Sequence, residues 1–332
     1  MSREEPGYIS LYNSGELQKR AERLEKRLSE CDICPRECGT DRLAEKTGSC
    51  HSGLHPIIST VCAHHGEEPV LSGRRGSGTI FFANCNLRCV YCQNYQISQE
   101  PENQQHDEIS TRKLAECMLY LQDDLKCHNI NLVTPSHFVP QIVRAVLEAV
   151  PMGLTLPLVY NTSSYDSTLT LRELAGIISI YLADLRYASD EYARKYSYAR
   201  HYVESSRSAI REMYRQVGDL EVDENGIARK GLIIRHLILP NDIAGSEESL
   251  RWLVDEISPR VTVSVMSQYH PSYLAYKYKE LNRRISPEEY ARVVRLVDKL
   301  GMENGWLQGM ESAKYYLPDF STDEPFSEEE CN

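Results

Sequence analysis

Three cysteines stand within eight residues, Cys85-Asn-Leu-Arg-Cys89-Val-Tyr-Cys92. Three thiols cannot pair off as disulfides without leaving one over. Held in one loop, three thiolates can each bind one iron of a cubane [4Fe-4S] cluster, which normally takes four Cys ligands. No fourth Cys follows nearby, so one iron would stay open to a small molecule. The competing reading is a zinc ion completed by a distant His, but the spacing does not match the usual zinc pairs. A second group, Cys31-x2-Cys34-x3-Cys38-x11-Cys50, offers four thiolates, enough for a closed structural zinc or a second cluster. Arg36, Arg42 and Lys46 close by favour thiolates, and His51 or His55 can stand in for a Cys. The remaining Cys62, Cys117, Cys127 and Cys331 read as small hydrophobes.

Cys-x3-Cys-x2-Cys with an aromatic residue, Tyr91, before the last Cys resembles the signature of the radical S-adenosylmethionine superfamily. The flanks Gly76-Ser-Gly-Thr-Ile-Phe-Phe-Ala-Asn-Cys85 and Cys92-Gln-Asn-Tyr-Gln-Ile-Ser98 resemble one branch of it, the uncharacterised group similar to pyruvate formate-lyase activating enzymes. Cys31-Asp-Ile-Cys34-Pro-Arg-Glu-Cys38-Gly and Gly66-Glu-Glu-Pro69 resemble the same branch, and the likeness runs from Cys31 to about Phe320.

The resemblance implies a cluster on Cys85, Cys89 and Cys92 whose open iron takes the amino and carboxylate groups of S-adenosylmethionine. It implies reductive cleavage of that cofactor to a 5′-deoxyadenosyl radical, and hydrogen abstraction from a substrate. The cofactor's carboxylate calls for a cation, Arg235 or Arg186. Its ribose calls for Asn161 or Asp184, and its adenine for Tyr91. The stretch Thr134-Pro135-Ser136-His137 replaces the superfamily's Gly-Gly-Glu-Pro-like segment, so Thr134 and Ser136 would take over the amino group. A glycyl radical enzyme is one implied partner, and a one-electron reductant such as flavodoxin or ferredoxin another. Radical modification of a small molecule or peptide is a second reading. A non-enzymatic iron–sulfur or zinc protein for electron transfer or interaction is a third.

Such residues need a scaffold. Short apolar runs alternate with helical patterns from residue 79. Candidate strands are 79–83, 130–134, 158–161, 178–183, 232–239 and 261–267. Candidate helices are 111–126, 140–150, 169–176, 190–217 (broken), 247–256 and 287–300, after an amphipathic helix over 9–28. Ser110 caps the first of the six, and Ser286 with Pro287 and Glu289 opens the last. Alternation of this kind implies a parallel sheet with right-handed crossovers. Periodicity alone leaves a doubly wound sheet open; the resemblance implies an α/β partial (β/α)6 TIM-like barrel with a Cys-rich N-terminal extension. The expected division is an extension over 1–75, the barrel over 76–320 and an acidic tail over 321–332.

In such barrels active groups gather at the C-terminal strand ends. The Cys85 loop follows the first strand, and Thr134 to His137 the second. Asn161 to Tyr165 end the third, and Asp184 to Tyr187 the fourth. Arg235 and His236 lie in the fifth, and Gln268 with His270 follow the sixth. His64 and His65 offer either a pocket wall or ordinary hydrogen-bonded histidines.

The 332 residues carry 48 acidic and 37 basic side chains, a formal charge of −11. That balance argues against nonspecific nucleic-acid binding. The apolar fraction of 41% suits a globular core rather than a membrane span. Met1 to Pro6 hold no apolar signal core, so a cytoplasmic protein is expected, where thiols serve metal chemistry rather than disulfides.

Overall fold

The computed structural model describes residues 5–100, 108–311, 318–320 and 325–326. Cys331 and most of the acidic tail lie outside the described residues. Nine strands form one sheet among them: β1 (Ile58–His64), β2 (Ser77–Phe82), β3 (Ile130–Val133), β4 (Leu158–Thr162), β5 (Ile180–Asp184), β6 (Glu221–Val222), β7 (Ala228–Leu237), β8 (Thr262–Met266) and β9 (Gly305–Leu307). Their order is β1-β2-β3-β4-β5-β7-β8-β9, with β6 paired only to the start of β7. Every pair from β2 to β9 along that path is parallel, and β1 runs antiparallel to β2.

The six expected strands all form, within four residues of the expected ends. β2, β3, β4 and β5 are buried at every position, because helices cover one face and the sheet curls over the other. The curl is visible in what meets inside. His64 of β1, Phe81 of β2, Val133 of β3, Asn161 of β4, Asp184 of β5, Arg235 of β7, Ser264 of β8 and Trp306 of β9 all line one cavity. A flat sheet cannot bring all eight strands of that path around one space. The architecture is a partial barrel, and β1 and β9 do not pair across the opening.

The helices are α1 (Gly7–Asn13), α2 (Glu16–Lys26), α3 (Pro69–Ser72), α4 (Tyr95–Ser98), α5 (Thr111–Leu119), α6 (Val139–Ala149), α7 (Thr168–Glu173), α8 (Asp190–Ser197), α9 (Tyr202–Val217), α10 (Ser246–Glu256) and α11 (Pro287–Lys299). The single helix expected over 9–28 is two, because Gly15 takes the left-handed φ of 72° between them. The run expected to reach residue 126 leaves α-geometry at Tyr120, where a π-helical turn follows. Ser110 accepts from Lys113 N–H, and Ser286 with Glu289 makes a full capping box. Leu17, Ala21 and Leu24 of α2 are buried in the same apolar core as Leu114, Val143 and Tyr160.

Inside the barrel a smaller apolar cluster of Val159, Ile180, Leu182 and Ile233 packs against Leu71 of α3. That contact plugs one end of the barrel and turns the segment before α3, Gly66 to Pro69, into the cavity. Three strand glycines are required by close approach: a Cβ at Gly78 would lie 2.7 Å from the Asn129 carbonyl oxygen. A Cβ at Gly231 (φ 126°) would strike the Asp219 and Leu220 backbone, and one at Gly305 (φ 134°) the Val263 backbone.

Candidate functional site

The cavity holds about 390 Å³. Tyr91, Cys92, Asn161, Asp184, Arg186, Arg235, Gln268 and His270 all line it. Asp184, Arg235, Ser264 and Trp306 sit side by side on four adjacent strands, in one row of the register. The period of two along each strand puts Asn161, Asp184 and Arg235 on the inner face.

These groups form a ladder of charge. Arg235 donates from Nε to Asp184 Oδ1 at 2.8 Å and from Nη2 to Asn161 Oδ1 at 2.7 Å. Its Nη1 lies 3.5 Å from Glu67 Oε2. Arg186 donates from Nη2 to Asp184 Oδ2 at 2.6 Å and from Nη1 to Cys89 Sγ at 3.5 Å. Burial pushes the Asp184 carboxyl up, but Arg235 and Arg186 outweigh it and hold the group below the usual carboxylate range. The Nε of Arg186 is buried and meets no partner among the described residues. Arg235 therefore has its donors engaged, whereas Arg186 keeps one aimed at nothing.

Glu67 and Glu68 belong to the Gly66-Glu-Glu-Pro69 stretch, which lines the cavity. Glu67 Oε1 accepts from Asn131 at 3.0 Å and from Asn161 at 3.3 Å. Burial pushes Glu68 up to about 7, with Arg235 pulling it down and Glu67 pushing it further. Burial lowers His64 to about 4, and its ring lies 4.1 Å from that of Phe326, which also lines the cavity. Gln268 accepts from Gln308 at 2.8 Å, and His270 lies 3.4 Å from Ser272 Oγ.

Thr134 and Ser136 do not line the cavity. Ser136 is 2% exposed, and its hydroxyl lies 3.2 Å from Thr162 Oγ1, which donates in turn to buried Asp166. Thr134 stands at a left-handed φ of 60°, tied through its N–H to the Asn161 carbonyl.

The Cys85 loop is fastened from both sides. Arg88 N–H donates to the Ser197 carbonyl and Val90 N–H to the Tyr196 carbonyl, both at the carboxyl end of α8. Arg88 also donates to the Ser49 carbonyl, Asn84 to the His51 carbonyl and Arg36 to the Asn86 carbonyl. The four-Cys segment thus packs directly on the three-Cys loop.

Both Cys groups suit soft metal centres by their donor sets. In the loop, Cys85 accepts from Leu87 N–H at 3.3 Å, Cys89 from Ser197 Oγ at 3.0 Å, and Cys92 lies 3.2 Å from Ser98 Oγ. The Leu87 and Ser197 donors favour thiolate at Cys85 and Cys89, but burial outweighs the hydrogen bonds at Cys85 and Cys92 and pushes those two thiols up, to about 11 and about 12. In the N-terminal group, N–H of Ile33 points at Cys31, that of Arg36 at Cys34 and that of Thr40 at Cys38, each two residues on. Burial pushes Cys38 up, but the N–H groups of Ser49 and Thr40 prevail and bring it down to about 7. A Cβ at Gly48 would lie 3.2 Å from Cys38 Sγ and 3.7 Å from Cys50 Sγ, so Gly48 packs closely against both thiols. Among the described residues no three His, Cys, Asp or Glu side chains are gathered as for one metal ion. A cubane takes each thiolate on a separate iron, so its ligand sulfurs stand farther apart than those of a single ion.

No family model matches the chain. The uncharacterized protein MJ0674 of Methanocaldococcus jannaschii is 28% identical over 277 residues, which are 82% of this chain and 75% of that protein. Among solved structures, HydG, a maturase of the [FeFe]-hydrogenase, is similar with a TM-score of 0.46 and 11% identity over 68% of this chain and 49% of its own. Methylornithine synthase PylB gives 0.42 and 17% over 66% and 60%. Streptococcus suis SuiB bound to S-adenosylmethionine gives 0.45 and 11% over 69% and 50%. The chain spans about half to three-fifths of the length of these solved chains. Likeness at this level does not assign an activity.

Proposed function

We propose that the chain is a radical S-adenosylmethionine enzyme. The observation that carries this reading is the placement of the Cys85–Cys92 loop against a cavity: Cys92 lines it, and Cys89 meets Arg186 of the wall ladder Arg186–Asp184–Arg235. A [4Fe-4S] cluster on those thiolates, with S-adenosylmethionine, would supply one-electron cleavage to methionine and a 5′-deoxyadenosyl radical that takes a hydrogen atom from the substrate.

The chain's own residues bind and orient. Arg186 lines the cavity and is the cation for the cofactor carboxylate, and Arg235 holds Asp184 and Asn161 in place toward the ribose. Tyr91 walls the adenine side. Because the Ser136 hydroxyl is spent on Thr162 and neither Ser136 nor Thr134 lines the cavity, the amino group falls to strand-end carbonyls. Gln268 and His270 stand on the substrate side, and the apolar wall of Phe81, Val133 and Met266 keeps water out.

The substrate in this reading is a glycyl radical enzyme partner, or a small molecule or peptide. The electron comes from an external donor such as flavodoxin or ferredoxin. A second metal centre on Cys31, Cys34, Cys38 and Cys50, another cluster or a structural zinc that draws the four thiols together on binding, is supported by the N–H groups aimed at the first three sulfurs.

The test is anaerobic reconstitution with iron and sulfide, followed by electron paramagnetic resonance of the reduced protein before and after adding S-adenosylmethionine. A signal that changes on addition, and no longer does so in Arg186→Leu, supports the reading. A signal indifferent to the cofactor in the unmutated protein contradicts it.

A further inference from the structure

Ser197 Oγ lies 3.0 Å from Cys89 Sγ, Tyr187 Oη 2.7 Å from Ser197 Oγ, and Tyr91 Oη 2.6 Å from Tyr187 Oη. None of the four residues is more than 4% exposed. Three hydroxyls in line therefore end on one sulfur, away from bulk water.

Proton counting fixes the direction of every bond. A thiolate sulfur only accepts, so the Ser197 proton points at Cys89. Ser197 has no second proton, so its oxygen accepts from Tyr187. Tyr187 has then spent its proton, and its oxygen accepts from Tyr91. All three dipoles point toward the sulfur, and bonds in such a chain polarise one another in a dry interior. The other loop sulfurs have no such line. Leu87 N–H serves Cys85 alone, and Ser98 Oγ, beside Cys92, spends its one proton on the Asn94 carbonyl.

We infer that Tyr91, Tyr187 and Ser197 act as a hydrogen-bond chain that sets the reduction potential of the iron–sulfur centre through Cys89. This rests on the proposed ligand role of Cys89. Donors to a ligating sulfur stabilise the added negative charge of the reduced centre and raise its potential. Arg186, 3.5 Å from the same sulfur, acts in the same sense with a full charge. Ser197 is held for this task by its place at the last residue of α8, whose carbonyl takes the Arg88 N–H of the Cys loop. The three are positioning residues: none touches an iron.

The experiment is a redox titration, monitored by electron paramagnetic resonance, of anaerobically reconstituted protein with iron content measured on each sample. Ser197→Ala is expected to lower the midpoint so that the reduced fraction relative to oxidised falls about tenfold at fixed poise, ~59 mV for a one-electron couple. Tyr187→Phe keeps the ring and the Ser197–Cys89 bond but removes the donor to Ser197, and gives a smaller shift of the same sign. Tyr91→Phe gives a smaller one again. Ser197→Thr restores the hydroxyl and the midpoint. Should Ser197→Ala fail to load, Tyr187→Phe carries the same comparison. Fully loaded variants with unchanged midpoints overturn the inference while leaving the cluster assignment standing. Iron content and spectrum untouched by Cys89→Ala overturn the ligand assignment, and this inference with it.

Discussion

Arg235 shows how little freedom the site's residues have. Its guanidinium serves Asp184, Asn161 and Glu67 at once, in a wall where every partner is buried or nearly so. Removing one member of such a set leaves the others' charges unpaired, which costs about 3–5 kcal/mol. Arg235→Leu is therefore expected to lose stability on that scale in urea unfolding of the metal-free protein; a loss under ~1 kcal/mol would contradict the packing described. Glu68 predicts a pH dependence. Its folded value of about 7 is above the ordinary carboxyl value, so between the two the folded state binds more protons than the unfolded. Its contribution is full at low pH and is lost as pH rises through about 7. Glu68→Gln, which cannot ionise, should match the parent near pH 4.5 and exceed it above pH 7 by up to ~3 kcal/mol. Parallel stability curves would refute this. Most of the wall was legible in the sequence, because Asn161, Asp184 and Arg235 are polar residues in otherwise apolar strands. Glu67 and Ser197 were not. Gly66-Glu67-Glu68-Pro69 stands out in the sequence only by resemblance, with no role for Glu67; Leu71 packing inside the barrel accompanies its turn inward. Ser197 is one of many small polar residues on helices, and its meeting with Cys89 spans 108 residues of chain.

At the scale of elements, the buried parallel strands announced themselves as short apolar runs, and Ser286 announced the start of α11. Ser286→Ala removes the capping box and should cost about 1 kcal/mol; no change in the unfolding midpoint would contradict the cap. Gly231→Ala should be far worse, since its backbone φ of 126° and the Asp219–Leu220 backbone both exclude a Cβ. β1 escaped sequence reading because Ile58 to His64 is half-buried throughout, an edge strand with no clean alternation. β9 has only three residues, too few for any period. The break between α1 and α2 was signalled by Gly15, which an apolar spacing spanning it had masked.

At the scale of the molecule, the eleven Cys divide by position: three in a loop on the cavity, four in a segment bolted to that loop, and four elsewhere, of which Cys331 lies outside the described residues. No helix among the described residues is long and apolar enough to cross a membrane. Metal analysis of anaerobic protein should find about four irons and one zinc if the N-terminal group is a staple, or about eight irons if it is a second cluster. No metal lost on changing Cys34 and Cys38 to Ala would dismiss a second site. The central claim, radical cleavage of S-adenosylmethionine on Cys85, Cys89 and Cys92, meets its most direct test in one assay. Reconstituted protein is mixed anaerobically with S-adenosylmethionine and a strong reductant, and 5′-deoxyadenosine is measured by chromatography. The account predicts its formation by the parent chain and its loss in Cys89→Ala. An intact, reduced cluster that forms none, or a Cys89→Ala protein that still does, would contradict it.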